Sequence, residues 1–147
     1  MKKLIIIIIS IISFNSLFAQ KYIDTYIKDA NKIGMEWWEQ VDNGEYEKAY
    51  NKLSKSLKDR FNLKSWLNQM IMLTDEIGDI QIRNIKETHF QSEIEGLEDG
   101  FYVTIEYDVK YSKTKNHTES ILLKQNDKFI WEIVDFNYSF QSIEIKE

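Results

Sequence analysis

No cysteine occurs in the sequence, and its absence removes several kinds of chemistry at once. Disulfide bonds, thiolate metal ligands and cysteine nucleophiles are excluded, as is the acylated cysteine of a bacterial lipoprotein. Proline is absent too, and the 147 residues include only five glycines and two histidines. So few glycines and histidines favour neither a glycine-rich nucleotide loop nor a histidine metal site.

Basic side chains are in the minority. The 19 lysines and arginines are outnumbered by 24 aspartates and glutamates, which gives a net charge of -5 and a pI of about 5.2. Nucleic acids and anionic membrane surfaces require a basic face, so the charge argues against both as partners. Apolar residues, in contrast, are plentiful: 43% of the chain is hydrophobic and 14% is aromatic. At this length, such a composition predicts one folded domain with a packed core.

The N-terminus has the three-part layout of a secretory signal peptide. Lys2 and Lys3 precede an apolar run over residues 4–12, and the segment continues to Ala19, a small residue suited to cleavage. The apolar stretch over residues 4–19 is shorter than the roughly 20 residues that span a bilayer. We therefore expect a cleaved signal peptide at residues 1–19, an exported protein that is periplasmic or secreted, and no permanent membrane span after cleavage. An uncleaved anchor is the alternative.

Three stretches with apolar residues at three- and four-residue spacing predict helices. The first covers residues 22–41 and ends before Gly44, which can adopt the left-handed backbone conformation that closes a helix. The second covers residues 45–57, and the third runs from Asn62, a good N-cap, to Gly78. We expect the first two helices to form a hairpin.

After Gly78 the apolar period changes from 3.6 to 2, which predicts strands for the rest of the chain. The clearest alternation covers residues 101–111. The pattern slips by one residue near residues 83–84 in the first strand and near residues 133–134 in the last, as it does at β-bulges. Phe129 is expected at the start of the last strand, on the same face as its apolar residues.

Residues 20–147 are therefore predicted to form a single α+β domain. In this fold, three N-terminal helices pack on one face of a bent four-stranded antiparallel sheet, because one apolar sheet face must be covered and the helices are available to cover it. Neither an internal repeat nor a linker is visible in the sequence of this range.

Several landmarks follow one another in the order that is typical of a known family. They are Trp37 and Trp38, the motif Asp42-x-Gly44-x-Tyr46, Phe61 and Trp66, Gly78 and Arg83, the turn Asp99-Gly100-Phe101-Tyr102, Glu119 and Trp131. In these residues the chain resembles the bacterial domain-of-unknown-function family 4019, whose members are exported. The resemblance implies a fold like that of the nuclear transport factor 2-like or cystatin-like proteins. It implies no reaction, since the family has no agreed activity.

The residue types that carry chemistry form no recognisable catalytic or metal motif. His89 lies two residues after Glu87, which on a strand places both side chains on one face, but one histidine and one carboxylate do not complete a metal site. The sequence contains neither a Gly-x-Ser-x-Gly nucleophile motif nor a nucleotide-binding loop. We therefore expect no metal, no cofactor and no catalytic residue.

A fold of this kind can enclose a cleft between its helices and its bent sheet. Six side chains are expected to bind a ligand there: Trp37, Trp38, Trp66, Arg83, Tyr107 and Trp131. Packing in the core is the competing interpretation for the tryptophans and for the tyrosine. Adjacent indoles on a helix diverge by about 100°, so either Trp37 or Trp38 is expected at the rim.

Together these features predict an exported binding or accessory module of the bacterial cell envelope, whose partner is a small ligand, a peptide or an envelope protein. Two alternatives stay open. An acid/base enzyme would use polar side chains that reach the cleft, for which the candidates are Asp42, Arg83, His89, Tyr107 and Asp135. A structural protein–protein interaction domain would instead present a flat apolar surface.

Expression of the full sequence in a Gram-negative bacterial host tests the signal peptide. We expect the purified envelope protein to start at Gln20, because Ala19 is the residue suited to cleavage. N-terminal sequencing measures this directly. A membrane-bound chain that keeps residues 1–19 would instead support the uncleaved anchor.

Overall fold

The computed structural model describes the backbone of residues 2–141 and the side chains of residues 21–141. Four helices are followed by four strands: α1 (Lys2–Asp42), α2 (Tyr46–Asn51), α3 (Lys55–Arg60), α4 (Leu63–Ile77), β1 (Ile80–Gln91), β2 (Tyr102–Tyr111), β3 (His117–Gln125) and β4 (Trp131–Tyr138). This order confirms the predicted α+β class. The predicted signal peptide lies outside the residues whose side chains are described. Over those residues, no helix is both long enough and apolar enough to cross a membrane.

The four strands form one antiparallel sheet in the order β1-β2-β3-β4, as the prediction requires. The register shifts twice in β1, once on each side of Arg83, rather than at Arg83 itself. In β4 the pairing with β3 skips Val134, which confirms the slip predicted there. Irregularities of this kind bend a strand and increase its twist.

The predicted second helix is wrong in its extent, because residues 52–54 interrupt it and leave two short helices, α2 and α3. Leu53 is 1% exposed and pairs with Ile133 of β4 in an isolated parallel bridge. The Ser54 N–H group donates to the Ile133 carbonyl at 2.8 Å, and the Ile133 N–H group donates to the Lys52 carbonyl at 3.0 Å. This pairing interrupts the helix that apolar spacing alone favoured. The fold therefore has four described helices instead of the expected three.

The C-terminal end of α1 and both ends of α4 lie close to where the sequence predicts them, whereas α1 begins at Lys2 and not near residue 22. Gly44, just beyond the end of α1, has a φ angle of 73°, and Gly78, at the end of α4, has a φ angle of 78°. The Asn62 side chain accepts a hydrogen bond from the Ser65 N–H group at 2.9 Å and so caps α4.

Helix α1 packs on one face of the sheet, which we call the inner face. This face includes the buried β2 residues Val103, Ile105, Tyr107, Val109 and Tyr111. The helix comes close to the sheet at Gly34. A Cβ atom there would lie 2.7 Å from the Tyr107 hydroxyl oxygen and 2.9 Å from the Ile105 Cδ1 atom, so glycine is what permits this approach.

Helix α1 runs from one end of the sheet to the other. Near the middle of α1, the Tyr26 ring stacks on Phe90 and Phe101 with centroid distances of 5.8 and 5.1 Å. We call this end of the sheet the hairpin end, because β3 and β4 are joined there. At the opposite end of the sheet, Asp42 of α1 reaches Arg83 of β1.

Candidate functional site

A group of charged and aromatic side chains lies between the C-terminal end of α1 and the inner face of the sheet. Its centre is the Arg83 side chain, which is 5% exposed. The guanidinium donates to both carboxylate oxygens of Asp42. Its Nη2 atom also donates to the Tyr111 hydroxyl at 2.5 Å and to the Glu119 carboxylate at 3.3 Å. These four residues, which we call the arginine cluster, tie α1 to β1, β2 and β3 through one cation.

The indole of Trp38 covers the guanidinium, with 4.6 Å between its ring centroid and the Arg83 Cζ atom. Trp38 is 1% exposed and Trp37 is fully buried, so the prediction that one of them lies at the rim is wrong. The two rings instead pack edge to face, with 4.7 Å between their centroids, and each has a buried environment. Trp38 lies against Arg83 and Tyr107, whereas Trp37 lies against Trp66.

The arginine cluster holds two carboxyl groups and one guanidinium, so its charges do not balance when both carboxyl groups are ionised. Burial raises the pKa of Glu119, which is 1% exposed. Burial also raises the pKa of Tyr111, whose hydroxyl donates to Glu119 Oε1 at 3.0 Å. The His117 Nε2 atom lies 3.5 Å from Glu119 Oε1 and supplies a second positive charge when the ring is protonated.

Tyr111 and Glu119 form the kind of titratable pair that an acid/base site needs, but the pair is closed off from solvent. Tyr111 is 2% exposed and Glu119 is 1% exposed. The Tyr107 hydroxyl and the Trp38 Nε1 atom are also buried and have no hydrogen-bond partner among the described residues. In this conformation the Tyr111–Glu119 pair is covered by protein, and the arginine cluster connects α1 to the sheet.

The remaining predicted ligand residues are also in the core. Trp37 Nε1 donates to the Ala49 carbonyl at 3.1 Å, and Trp66 Nε1 donates to the Tyr46 carbonyl at 2.9 Å, so both indoles connect helices. Trp131 is 5% exposed and lies at the hairpin end. Trp38, Arg83 and Tyr107 are brought together around the arginine cluster. Ligand binding by these six residues stays a prediction.

Two of the five polar candidates for an acid/base site lie elsewhere. His89 is exposed on β1, with its Nε2 atom 3.2 Å from Glu87 Oε2. Asp135 is exposed on β4 and lines a cavity on the face of the sheet opposite α1, which we call the outer face. Asp42, Arg83 and Tyr107 do converge.

An open groove crosses the outer face near the hairpin end. Its larger part has a volume of about 800 Å³ and lies between α3, the loop at residues 98–101 and the β3–β4 hairpin. An adjoining cavity of about 420 Å³ extends it towards Arg60, Tyr102 and Asp135. The two cavities share Ser56, Glu98, Lys124 and Val134, and we call them together the outer groove.

Several polar groups of the outer groove are paired with one another. Lys55 Nζ lies 2.7 Å from Asp59 Oδ2, and Lys124 Nζ lies 2.9 Å from Glu98 Oε2. The hydrogen bond from Lys124 lowers the pKa of Glu98. Paired groups of this kind suit ligand contact better than proton transfer, because each charge already has a partner.

Phe129 lies at the mouth of the outer groove and is 79% exposed, so its predicted place at the start of β4 is wrong. The Asn126 Oδ1 atom accepts hydrogen bonds from the Lys128 and Ile130 N–H groups, which extends the turn to Ile130. The Asn126 N–H group donates to the Ile130 carbonyl and leaves a three-residue loop. The third residue of such a loop takes the left-handed conformation, and Phe129 accordingly has a φ angle of 60°.

Sequence reasoning missed the outer groove because no single motif marks it. The signal that was available is the turn: a three-residue hairpin loop normally has glycine at its left-handed position, and here the sequence has Phe129. A bulky residue at positive φ is uncommon and calls for an explanation.

Substitution of Glu119 by glutamine tests the electrostatics of the arginine cluster. A raised pKa means that the folded state retains its proton above the ordinary glutamate value of 4.5, so the free energy of unfolding must fall as pH rises through the shifted pKa. We expect the stability of the wild type to fall relative to that of Glu119→Gln as the pH rises above 4.5 towards the alkaline range.

Urea unfolding across this pH range measures the difference. Glu87→Gln on β1 is the matched control, because that side chain is 56% exposed and outside the cluster. A constant difference between wild type and Glu119→Gln over the whole range would contradict the raised pKa.

The family model described as "Protein of unknown function (DUF4019)" matches residues 33–136, which include every landmark from Trp37 to Trp131. Four of these landmarks, Trp38, Asp42, Arg83 and Glu119, meet at the arginine cluster. Among curated proteins, none matches the chain. The chain belongs to the DUF4019 family of proteins of unknown function.

Proposed function

We propose that the protein is an exported binding module of the cell envelope and that the outer groove is where it holds its ligand. The observation that carries the proposal is the left-handed backbone conformation of Phe129 together with the exposure of its ring. A non-glycine residue in the left-handed conformation costs on the order of 1–3 kcal/mol, and a ring that is 79% exposed contributes little to the core in return. An exposed ring held at that cost beside an open groove is suited to contact with a ligand.

The proposal favours binding over catalysis for a geometric reason. The titratable pair nearest to an acid/base arrangement, Tyr111 and Glu119, is buried under α1, whereas the accessible groove has its lysines in ion pairs. An enzyme in the nuclear transport factor 2-like or cystatin-like manner would need an open cleft between helices and sheet. In the described structure that space is occupied by Trp37, Trp38 and Tyr107.

Export is the second half of the proposal, and the sequence of residues 1–19 supports it. A binding module at the cell envelope needs no catalytic residues. It needs a rigid body and an accessible surface. The fixed position of α1 supplies the first, and the outer groove on the opposite face of the sheet supplies the second.

Two substitutions of Phe129 separate its backbone strain from its side-chain contact. Phe129→Gly removes the strain but increases the conformational entropy of the unfolded chain, so we expect a net gain of about 1 kcal/mol in the free energy of unfolding. Phe129→Ala removes the ring and keeps the unfavourable φ angle, so it is not expected to gain stability. Urea unfolding measures both.

The same variants test ligand binding by the groove. The ¹⁵N-labelled protein is titrated separately with a mixture of random nonapeptides and with chitotetraose, and backbone amide shifts are followed by NMR. We expect one probe to shift amides of the outer groove in the wild type, and both Phe129 variants to weaken that response. Shifts centred on Trp38 and Arg83 would favour the cleft between helices and sheet, and the absence of any shift would contradict the proposal.

A further inference from the structure

The outer groove carries an excess of negative charge. Its acidic lining residues are Asp59, Glu98, Asp99, Asp127, Glu132 and Asp135, and its basic lining residues are Lys55, Arg60 and Lys124. Both lysines are ion-paired inside the groove, at 2.7 Å with Asp59 and at 2.9 Å with Glu98. The positive charge of these two lysines is therefore largely neutralised before any ligand arrives, which leaves Arg60 as the basic lining residue outside these pairs.

Three of the carboxylates are free to meet a ligand. Asp99, Asp127 and Asp135 are exposed and form no ion pair with another residue of the described chain. Asp99 lies in the loop before β2 and Asp127 lies at the tip of the β3–β4 hairpin, so the two approach the larger part of the groove from different elements. Asp135 of β4 lies in the smaller part. Negative charge thus extends along the groove instead of collecting at one point.

Apolar side chains accompany these carboxylates. Phe129 is 79% exposed and Phe101 is 41% exposed, and both line the larger part of the groove. Leu97 is 47% exposed and lines the smaller part. A ligand that fills the groove therefore meets apolar surface and carboxylates within the same stretch.

We infer that the outer groove binds an extended cationic peptide segment that carries at least one large apolar side chain; the inference rests on the proposed function and names its ligand class. Lysine or arginine side chains of the peptide pair with Asp99, Asp127 and Asp135, and its apolar side chain packs against Phe129 and Phe101. An anionic ligand such as a phosphate ester would face the same carboxylates and be repelled. The net charge of -5 on the chain favours the same choice of partner.

The test compares two fluorescein-labelled nonapeptides by fluorescence anisotropy. The first alternates lysine and alanine around a central phenylalanine, and the second has glutamate in place of every lysine. We expect the lysine peptide to bind more tightly than the glutamate peptide, and its affinity to fall as the ionic strength rises above about 0.1 M, where the Debye length is about 10 Å.

The variant Asp99→Asn/Asp127→Asn is expected to weaken binding of the lysine peptide about five- to tenfold, since it removes two of the pairing carboxylates. The matched control is Asp29→Asn/Glu39→Gln, which makes the same change in net charge at exposed positions of α1, on the inner side of the sheet. The control is expected to bind like the wild type. An equal loss in both variants would reduce the effect to net charge and overturn the assignment to the groove.

The other outcomes separate this inference from the proposed function. Equal binding of the lysine and glutamate peptides overturns the cationic ligand class. If chitotetraose shifts the groove amides and neither peptide binds, the peptide inference fails and the groove remains a binding site for a glycan. If no probe shifts the groove amides, both the inference and the proposed function fail.

Discussion

The Arg83 guanidinium is the group on which the position of α1 depends. It is buried, and a buried cation is stable only when carboxylates and hydrogen-bond acceptors replace the water that it has lost. Here the acceptors come from three directions: Asp42 from the end of α1, Tyr111 from β2 and Glu119 from β3. Trp38 closes the remaining side. Because the partners belong to different elements, none of these elements can shift along its neighbour without leaving a buried charge unpaired.

This constraint acts together with the close approach at Gly34 and the aromatic contacts of Tyr26 to fix α1 along the length of the sheet. The inner face is thereby filled, and the space where related folds are expected to keep a cleft is occupied by indole and phenol rings. Accessible concave surface is found instead on the outer face, between α3 and the loops at the hairpin end. The interaction that stabilises the fold and the surface proposed for binding are therefore at opposite ends and on opposite faces of the sheet.

The parts of the fold that depend on local pattern could be read from the sequence. The spacing over residues 22–41 and the alternation over residues 101–111 each bury a continuous stripe, so this part of α1 and the whole of β2 follow from periodicity alone. The second helix could not be predicted in full, because the bridge between Leu53 and Ile133 joins residues far apart in the sequence. Arg83 and Tyr107 were predicted from the sequence as candidate site residues, but the structure buries both of them against Trp38. The exposure of Phe129 was missed because the apolar alternation of the last strand includes residue 129. The hydrogen bonds that the Asn126 side chain accepts place residue 129 in the turn instead.

Unfolding of Arg83→Met by urea, followed by tryptophan fluorescence, tests the central claim most directly. Methionine occupies part of the same volume without the charge, so two buried carboxylates lose their cation and the free energy of unfolding should fall by about 3–5 kcal/mol. The triple variant Asp42→Asn/Arg83→Met/Glu119→Gln removes the guanidinium and both carboxyl groups and should recover much of that loss. If Arg83→Met unfolds at the same urea concentration as the wild type, or if the triple variant is less stable than the single one, the arginine cluster does not hold α1 on the sheet.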